Sequence, residues 1–125
     1  MSLHHLSSGE IFHLRPLGEG LKDQPSTALF KTESLEVMRL VLRSGKELPE
    51  HAVSGEITIH CLEGKMELQA HGKTQVMQAG DLVYLESMQP HALVALEDAS
   101  ALVTILLYQG SASPQDAPGA QAAAQ

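Results

Sequence analysis

The chain has 125 residues, of which 43% are hydrophobic, so its length and composition fit one domain with a single core. Its formal charge of −7 argues against nucleic acid or an anionic membrane surface as a partner. The only cysteine, Cys61, excludes an internal disulfide, and no apolar run is long enough to span a bilayer. We therefore expect a soluble protein of the cytoplasm.

The predicted organisation begins with an irregular leader and an edge strand, residues 1–33. Pro16 and Gly18 interrupt any regular period there. Within the leader, the apolar stretch 11–14 predicts one short strand. At the other end, residues 110–125 are mostly Ala, Gln, Pro, Gly and Ser, a composition that buries too little apolar surface to offset the entropy of ordering. We predict a disordered tail there.

Between these ends, residues 34–109 have the pattern of short β-strands separated by turns. Alternation in the segment 57–62 puts Ile57, Ile59 and Cys61 on one face. No stretch shows a sustained helical period. Short strands with regular turns indicate an all-β sandwich or barrel. The predicted strands are 35–42, 57–62, 65–70, 73–77, 82–85, 91–96 and 101–108.

Glycines and histidines recur in this region at a spacing that resembles a known family. Gly45 is followed six positions later by His51, and Gly64 closes this first group. Gly80 and His91 form a second group. The pattern resembles the two motifs of the cupin superfamily, in its small, single-domain, RmlC-like class. The resemblance implies a double-stranded β-helix, which is a jelly-roll barrel, and pairing into a homodimer.

The resemblance also implies a metal site inside the barrel, of which this chain keeps only part. His51 and His91 stand at two of the family's ligand positions, whereas Val53 and Ile57 replace a histidine and a glutamate. Two neutral imidazoles alone hold a divalent metal such as Fe, Mn, Zn or Ni poorly. Glu56 is the candidate third ligand, which requires a β-bulge that turns its side chain inward. Regular alternation instead points Glu56 outward, and that interpretation is favoured.

If the barrel binds a small molecule, we expect an accessible cavity inside it. The residues expected to line it are Ile57, Ile59, Tyr84, Met88 and His91. Met88 stands where the second motif has a turn glycine, so we expect its thioether at the pocket mouth. Cys61 lies in mid-strand among apolar residues and is interpreted as a small buried hydrophobe rather than as a nucleophile.

Three hypotheses for function follow, of which the sequence favours the first. It is a small-molecule-binding or sensing barrel with a degenerate metal site. The second is a metal-dependent enzyme of the dioxygenase or isomerase type, in which His51 and His91 hold the metal together with Glu56, water or substrate. The third is a structural or partner-binding barrel, which predicts an interior filled by side chains.

Overall fold

A computed structural model describes residues 5–107 as two β-sheets and one 3₁₀-helix, Gly18–Asp23. The predicted tail 110–125 lies outside the described residues. Among those that are described, no helix is long and apolar enough to cross a membrane. The strands in chain order are β1 (Thr27–Lys31), β2 (Leu35–Leu42), β3 (Glu47–His51), β4 (Ile57–Glu63), β5 (Lys65–Ala70), β6 (Lys73–Gln78), β7 (Leu82–Leu85), β8 (His91–Ala95) and β9 (Ala99–Leu106).

The strands form two sheets that face each other across one core. Sheet A has five strands in the order β1-β2-β9-β4-β7, and sheet B has four in the order β3-β8-β5-β6. All of these neighbours pair antiparallel. This arrangement is the double-stranded β-helix that the sequence predicted, so the predicted fold class is confirmed.

The core follows the alternation of inward and outward residues along the strands. In β4, Ile57, Ile59 and Cys61 are buried, whereas Thr58 and His60 between them are half-buried on the outer face. The core is almost wholly aliphatic, as the shortage of aromatic residues requires. Its members are Leu40, Leu42, Ile57, Ile59, Cys61, Met66, Leu68, Met77, Leu85, Leu93, Ala95, Ala99, Ala101 and Val103.

Two elements differ from the sequence prediction. The predicted strand 11–14 is wrong, because this stretch is irregular and Ile11 is 79% exposed. The edge strand of the leader is instead β1, which pairs with β2. In sheet B, β3 was not predicted because Pro49 lies within it. A proline is tolerated in β3 because this strand is at the sheet edge, where one side of its backbone has no ladder partner.

The leader packs against the outer face of sheet A and is anchored by Glu63. The carboxylate of Glu63 accepts hydrogen bonds from the backbone N–H of Leu17 at 2.8 Å and of Gly18 at 3.1 Å. The hydroxyl of the fully buried Ser100 donates to the same carboxylate at 2.5 Å. Arg39 adds a hydrogen bond from its guanidinium to the carbonyl of Arg15. We call this set of contacts the leader anchor.

The leader anchor stabilises the ionised form of Glu63. Burial alone would raise the pKa of Glu63, but the hydrogen bonds from Leu17, Ser100 and Gly18 and the positive charge of Arg39 outweigh it. The pKa of Glu63 is therefore below its ordinary value. The leader is fixed to the barrel by a charged group rather than by apolar contacts alone.

The turn between β4 and β5 needs a glycine for two separate reasons. Gly64 has a φ of +79°, a conformation that other residues adopt only with strain. A Cβ at this position would also lie 2.1 Å from the carbonyl oxygen of Asp98 and 2.8 Å from the Cα of Ala99. Both atoms belong to the backbone, so neither can rotate away. This explains physically why the first motif closes with glycine.

Candidate functional site

Two histidines from neighbouring strands of sheet B meet at one end of the barrel. His51 ends β3 and His91 begins β8, and the register pairs them directly. Their ring centroids are 4.5 Å apart, with the ring planes tilted by 51°. His91 is 3% exposed, whereas His51 is open to solvent. We call these two residues the imidazole pair, and the end of the barrel where they lie the barrel mouth.

Each ring of the imidazole pair is oriented by its own strand. The Nδ1 atom of His51 is 3.0 Å from the carbonyl oxygen of Pro49, and that of His91 is 2.9 Å from the carbonyl oxygen of Gln89. A carbonyl oxygen can only accept, so both Nδ1 atoms must carry the proton. In the neutral rings the lone pair is therefore on Nε2. This is the arrangement that frees a histidine to bind a metal or a ligand through Nε2.

The rim of the barrel mouth is held together by two hydrogen-bonded loops. The backbone N–H of Met88 donates to the carbonyl of Val53 at 2.7 Å. The hydroxyl of Ser87 donates to the carbonyl of Ser54 at 2.5 Å. The loop that follows His51 is thus joined to the loop that precedes His91. The two histidines are fixed by their strands and also by the loops that continue them.

Glu56, the candidate third metal ligand, lies on the outside of the barrel. The hydroxyl of Tyr84 donates to its carboxylate at 2.6 Å. Tyr84 pairs with the outward residue Thr58, so this hydrogen bond forms on the outer face of sheet A. Within residues 5–107, no group of three or more His, Cys, Asp or Glu side chains is placed to hold a metal ion. The imidazole pair therefore lacks a third protein ligand there.

The structure separates the five residues predicted to line a pocket. Ile57 and Ile59 are 4% and 2% exposed and pack into the core. Tyr84 is 58% exposed on the outer face of sheet A. Only Met88, which is 58% exposed on the rim, and His91 belong to the barrel mouth. Side chains pack together at the depth of Ile59, so of the five residues only Met88 and His91 lie at the open end of the barrel.

Comparison with known families identifies the fold. The family model described as "Cupin domain" matches residues 38–108, which is more than half of the chain. The chain belongs to the cupin family. No match was found among curated proteins.

Several solved structures share the fold of this cupin. A cupin superfamily protein from Desulfitobacterium hafniense superposes with a TM-score of 0.72 at 17% identity, covering 86% of this chain and 100% of that one. An RmlC-like cupin from Desulfovibrio desulfuricans has a TM-score of 0.60 at 26% identity, with 85% and 96% covered. Salicylate 1,2-dioxygenase from Pseudoaminobacter salicylatoxidans, a variant, has a TM-score of 0.56 at 22% identity, with 58% of this chain and 21% of that one covered. These similarities show the shared fold.

The cupin motifs explain two local features of the mouth. Met88 has a φ of +65° where the second motif has a glycine, so the turn geometry is kept although the residue is not. At the ligand position of the first motif, Ile57 is buried in the core and has no polar atom to offer a metal. The turn geometry is thus retained at Met88, whereas Ile57 offers only an apolar side chain.

Sequence reasoning missed Glu36, which shares the barrel-facing side of sheet A. The register pairs Glu36 with Ile105, and Ile105 with the buried Ile57. Glu36 is half-buried and lies at the mouth end of β2. Met38 packs against the core, and strand alternation places Glu36, two residues earlier, on the same side of β2. This pattern could have identified Glu36 from the sequence. Glu36 therefore adds a carboxylate to the sheet that faces the imidazole pair.

Cys61 is fully buried and takes no part in the site. Burial raises the pKa of its thiol, and the nearby Asp81 and Glu63 carboxylates raise it further, against a lowering hydrogen bond to the Glu63 backbone. A thiol that stays protonated is a poor nucleophile and a poor metal ligand. The interpretation of Cys61 as a small buried hydrophobe agrees with this placement.

Proposed function

We propose that this cupin binds a small polar molecule at the barrel mouth through the Nε2 atoms of His51 and His91. The observation that carries the proposal is the state of the two rings. Both Nδ1 protons are already donated to backbone carbonyls, so each of the two rings, whose centroids are 4.5 Å apart, leaves its Nε2 atom to interact with a ligand. A neutral Nε2 accepts a hydrogen bond, so the ligand group that fits both rings carries N–H or O–H donors.

Charge around the mouth supports a donor-rich ligand over an anion. Glu36 places a half-buried carboxylate on the barrel-facing side of sheet A. The whole chain carries a formal charge of −7, which disfavours a strongly anionic ligand. Amines and vicinal hydroxyl groups are therefore the expected ligand chemistry, with Met88 contacting the apolar part of the molecule at the rim.

The first test is ligand screening by NMR on the ring nitrogens of the labelled protein. We expect small amines and diols to shift the Nε2 resonances of the imidazole pair in a saturable way. His51→Ala removes one acceptor from an exposed position, so the affinity should fall by about tenfold, the usual loss for a binding hydrogen bond. His13→Ala is the matched control, because His13 is an exposed histidine of the leader. A screen in which no compound moves the ring resonances would reject the proposal.

A metal-dependent enzyme of the dioxygenase or isomerase type is the second candidate function. It is favoured by the proximity of two imidazole rings, whose Nε2 atoms would supply two of the nitrogen ligands that such sites use. The donor set among the described residues stops at two, so it does not fit a complete protein site for Fe, Mn, Zn or Ni. Elemental analysis decides between the candidates. One metal per chain that is lost in both His51→Ala and His91→Ala would favour the enzyme over the binding proposal. Sub-stoichiometric metal would support the binding proposal.

We also propose that the chain pairs as a homodimer through the outer face of β7, β4 and β9. Leu82 and Tyr84 are 66% and 58% exposed on this face. The outward residues Thr58, His60, Leu82, Tyr84, Leu102, Thr104 and Leu106 include no Asp, Glu, Lys or Arg, and the two carboxylates on this face, those of Glu56 and Glu63, are hydrogen-bonded to Tyr84 and to the leader. On a chain with a formal charge of −7, a face whose carboxylates are already hydrogen-bonded is where two copies can meet with least repulsion.

Leu82→Glu should convert the dimer to a monomer at micromolar concentration, because it would place two like charges in the interface. Light scattering coupled to gel filtration measures the mass directly. Val76→Glu is the matched control, since Val76 is 49% exposed but belongs to sheet B. A wild-type chain that is monomeric at high concentration would contradict the proposed pairing.

A further inference from the structure

A recess lies on the outer side of sheet B, on the strand ends that carry the imidazole pair. It is a cleft of about 460 Å³, formed by the β5–β6 hairpin, the segment before β8 and the end of β3. Its polar lining comes from Glu50, Gln69, His71, Lys73, Thr74 and Gln89. Its apolar lining includes Pro90 and Ala92. We call it the back cleft.

The back cleft is separate from the barrel mouth because the strands between them alternate. Gln69 pairs with Ala92 on one side and with Thr74 on the other, so these three share the outer face. The next residue, Ala70, also lines the cleft and pairs with His91, which faces the barrel. The same strand ends thus present the imidazole pair inward and the back cleft outward.

The walls of the back cleft are fixed in position. The β5–β6 hairpin turns through His71 and Gly72, which have φ values of +55° and +71°. Two consecutive residues with positive φ are typical of the tight two-residue turn that matches the twist of a hairpin. On the opposite wall, the side chain of Gln89 donates to the carbonyl of Pro90 at 3.1 Å. A cleft with preset walls loses little conformational entropy when it binds a ligand.

The chemistry of the lining indicates the class of ligand. Two amides and a hydroxyl, from Gln69, Gln89 and Thr74, both donate and accept hydrogen bonds. Small apolar side chains such as Ala92 and Pro90 leave a surface for C–H groups. We infer that the back cleft binds a small neutral polyhydroxylated molecule, of the size of a monosaccharide. Each hydroxyl of such a molecule also donates and accepts, and a volume of about 460 Å³ lies within the range of small-molecule sites.

The charges of the cleft argue for a neutral ligand. Lys73 and Glu50 contribute one positive and one negative side chain, so neither sign dominates. Among residues 5–107, no ion pair joins these two, and both charged groups are available to hydroxyl groups of a ligand. A phosphate or other dianion would meet only one lysine, against the formal charge of −7 of the chain.

The test is a titration of the full-length, ¹⁵N-labelled chain with methyl α-D-glucopyranoside, a neutral monosaccharide derivative, followed by NMR. We expect saturable shifts of the backbone amides of Gln69 and Thr74 and of the side-chain amides of Gln69 and Gln89. Gln69→Ala and Thr74→Val should each weaken binding by about three- to tenfold, the loss expected for one hydrogen bond. Gln78→Ala is the matched control, because Gln78 pairs with Lys65 at the opposite end of the same sheet.

Two results would overturn the inference. One is a set of shifts that stay linear up to 100 mM glucoside and spread over the surface, which indicates no site. The other is saturable binding that neither Gln69→Ala nor Thr74→Val weakens, which places the ligand elsewhere. This test can fail while the function proposed for the barrel mouth holds, because that function is tested by the NMR signals of the ring nitrogens of the imidazole pair.

Discussion

Gly64→Ala is expected to lower the free energy of unfolding by about 3 kcal/mol or more. A side chain at a φ of +79° is strained by about 1–2 kcal/mol. The remainder comes from the new Cβ, which would lie 2.1 Å from the carbonyl oxygen of Asp98. Relief of that contact requires the β4–β5 turn to move away from the start of β9. Urea denaturation followed by circular dichroism measures the loss.

Gly72→Ala separates the two contributions to this effect. Gly72 has a similar φ of +71°, but a Cβ there would have no atom within 4 Å. The control should therefore cost only the backbone strain, about 1 kcal/mol. If the two variants lose equal stability, the close approach of Asp98 does not limit the turn and the explanation given for the closing glycine fails.

The second large effect is expected for Glu63→Gln, which removes the charge of the leader anchor. A hydrogen bond to a charged group contributes about 1.5–3 kcal/mol, so we expect a loss of about 2 kcal/mol at pH 7. The amide of glutamine would also direct a donor at groups that themselves donate, namely Leu17, Gly18 and Ser100. Chemical denaturation at pH 7 measures the difference, and the amide resonances of Leu17 and Gly18 report whether the leader detaches.

The pH dependence of this effect follows from the pKa of Glu63. That pKa is lower in the folded chain than the ordinary value of 4.5. The stabilisation by ionised Glu63 is therefore fully present above the unfolded pKa, and it is lost as the pH falls through the folded pKa. The difference in free energy of unfolding between the wild-type chain and Glu63→Gln should therefore decrease as the solution is acidified below pH 4.5. Glu67→Gln, on the outer face of sheet B, is the control, and an advantage that is constant with pH would contradict the assignment.

The fold could be predicted because its signals are local. Alternation in β4 gave the correct inward face, with Ile57, Ile59 and Cys61 buried. The strand β3 was missed because Pro49 and its charged neighbours weaken a strand pattern, and only the sheet order shows that β3 is an edge. The stretch 11–14 has the apolar residues typical of a strand but pairs with no strand. The sequence of a short segment does not show which other segment it will pair with.

The candidate site could be predicted only in part. Motif spacing identified His51 and His91, which the structure brings together. The same spacing could not tell a residue that lines a cavity from one that is packed, so Ile59 was placed in a pocket although it belongs to the core. Tyr84 was placed in the pocket although alternation with the buried Leu85 puts it outside. The orientation of the rings depends on backbone carbonyls, which every residue has and no sequence pattern singles out.

The burial of Cys61 gives this chain an internal reporter of its own unfolding. Cys61 is the only thiol in the sequence and its side chain is 0% exposed. An alkylating reagent can reach the Cys61 thiol only after β4 has separated from its neighbouring strands. The rate of alkylation therefore measures how often the barrel opens at β4. Mass spectrometry can follow the modification in unpurified mixtures, with no dye or tag attached. Variants, ligands and solution conditions can therefore be ranked by their effect on the barrel's opening through one native atom.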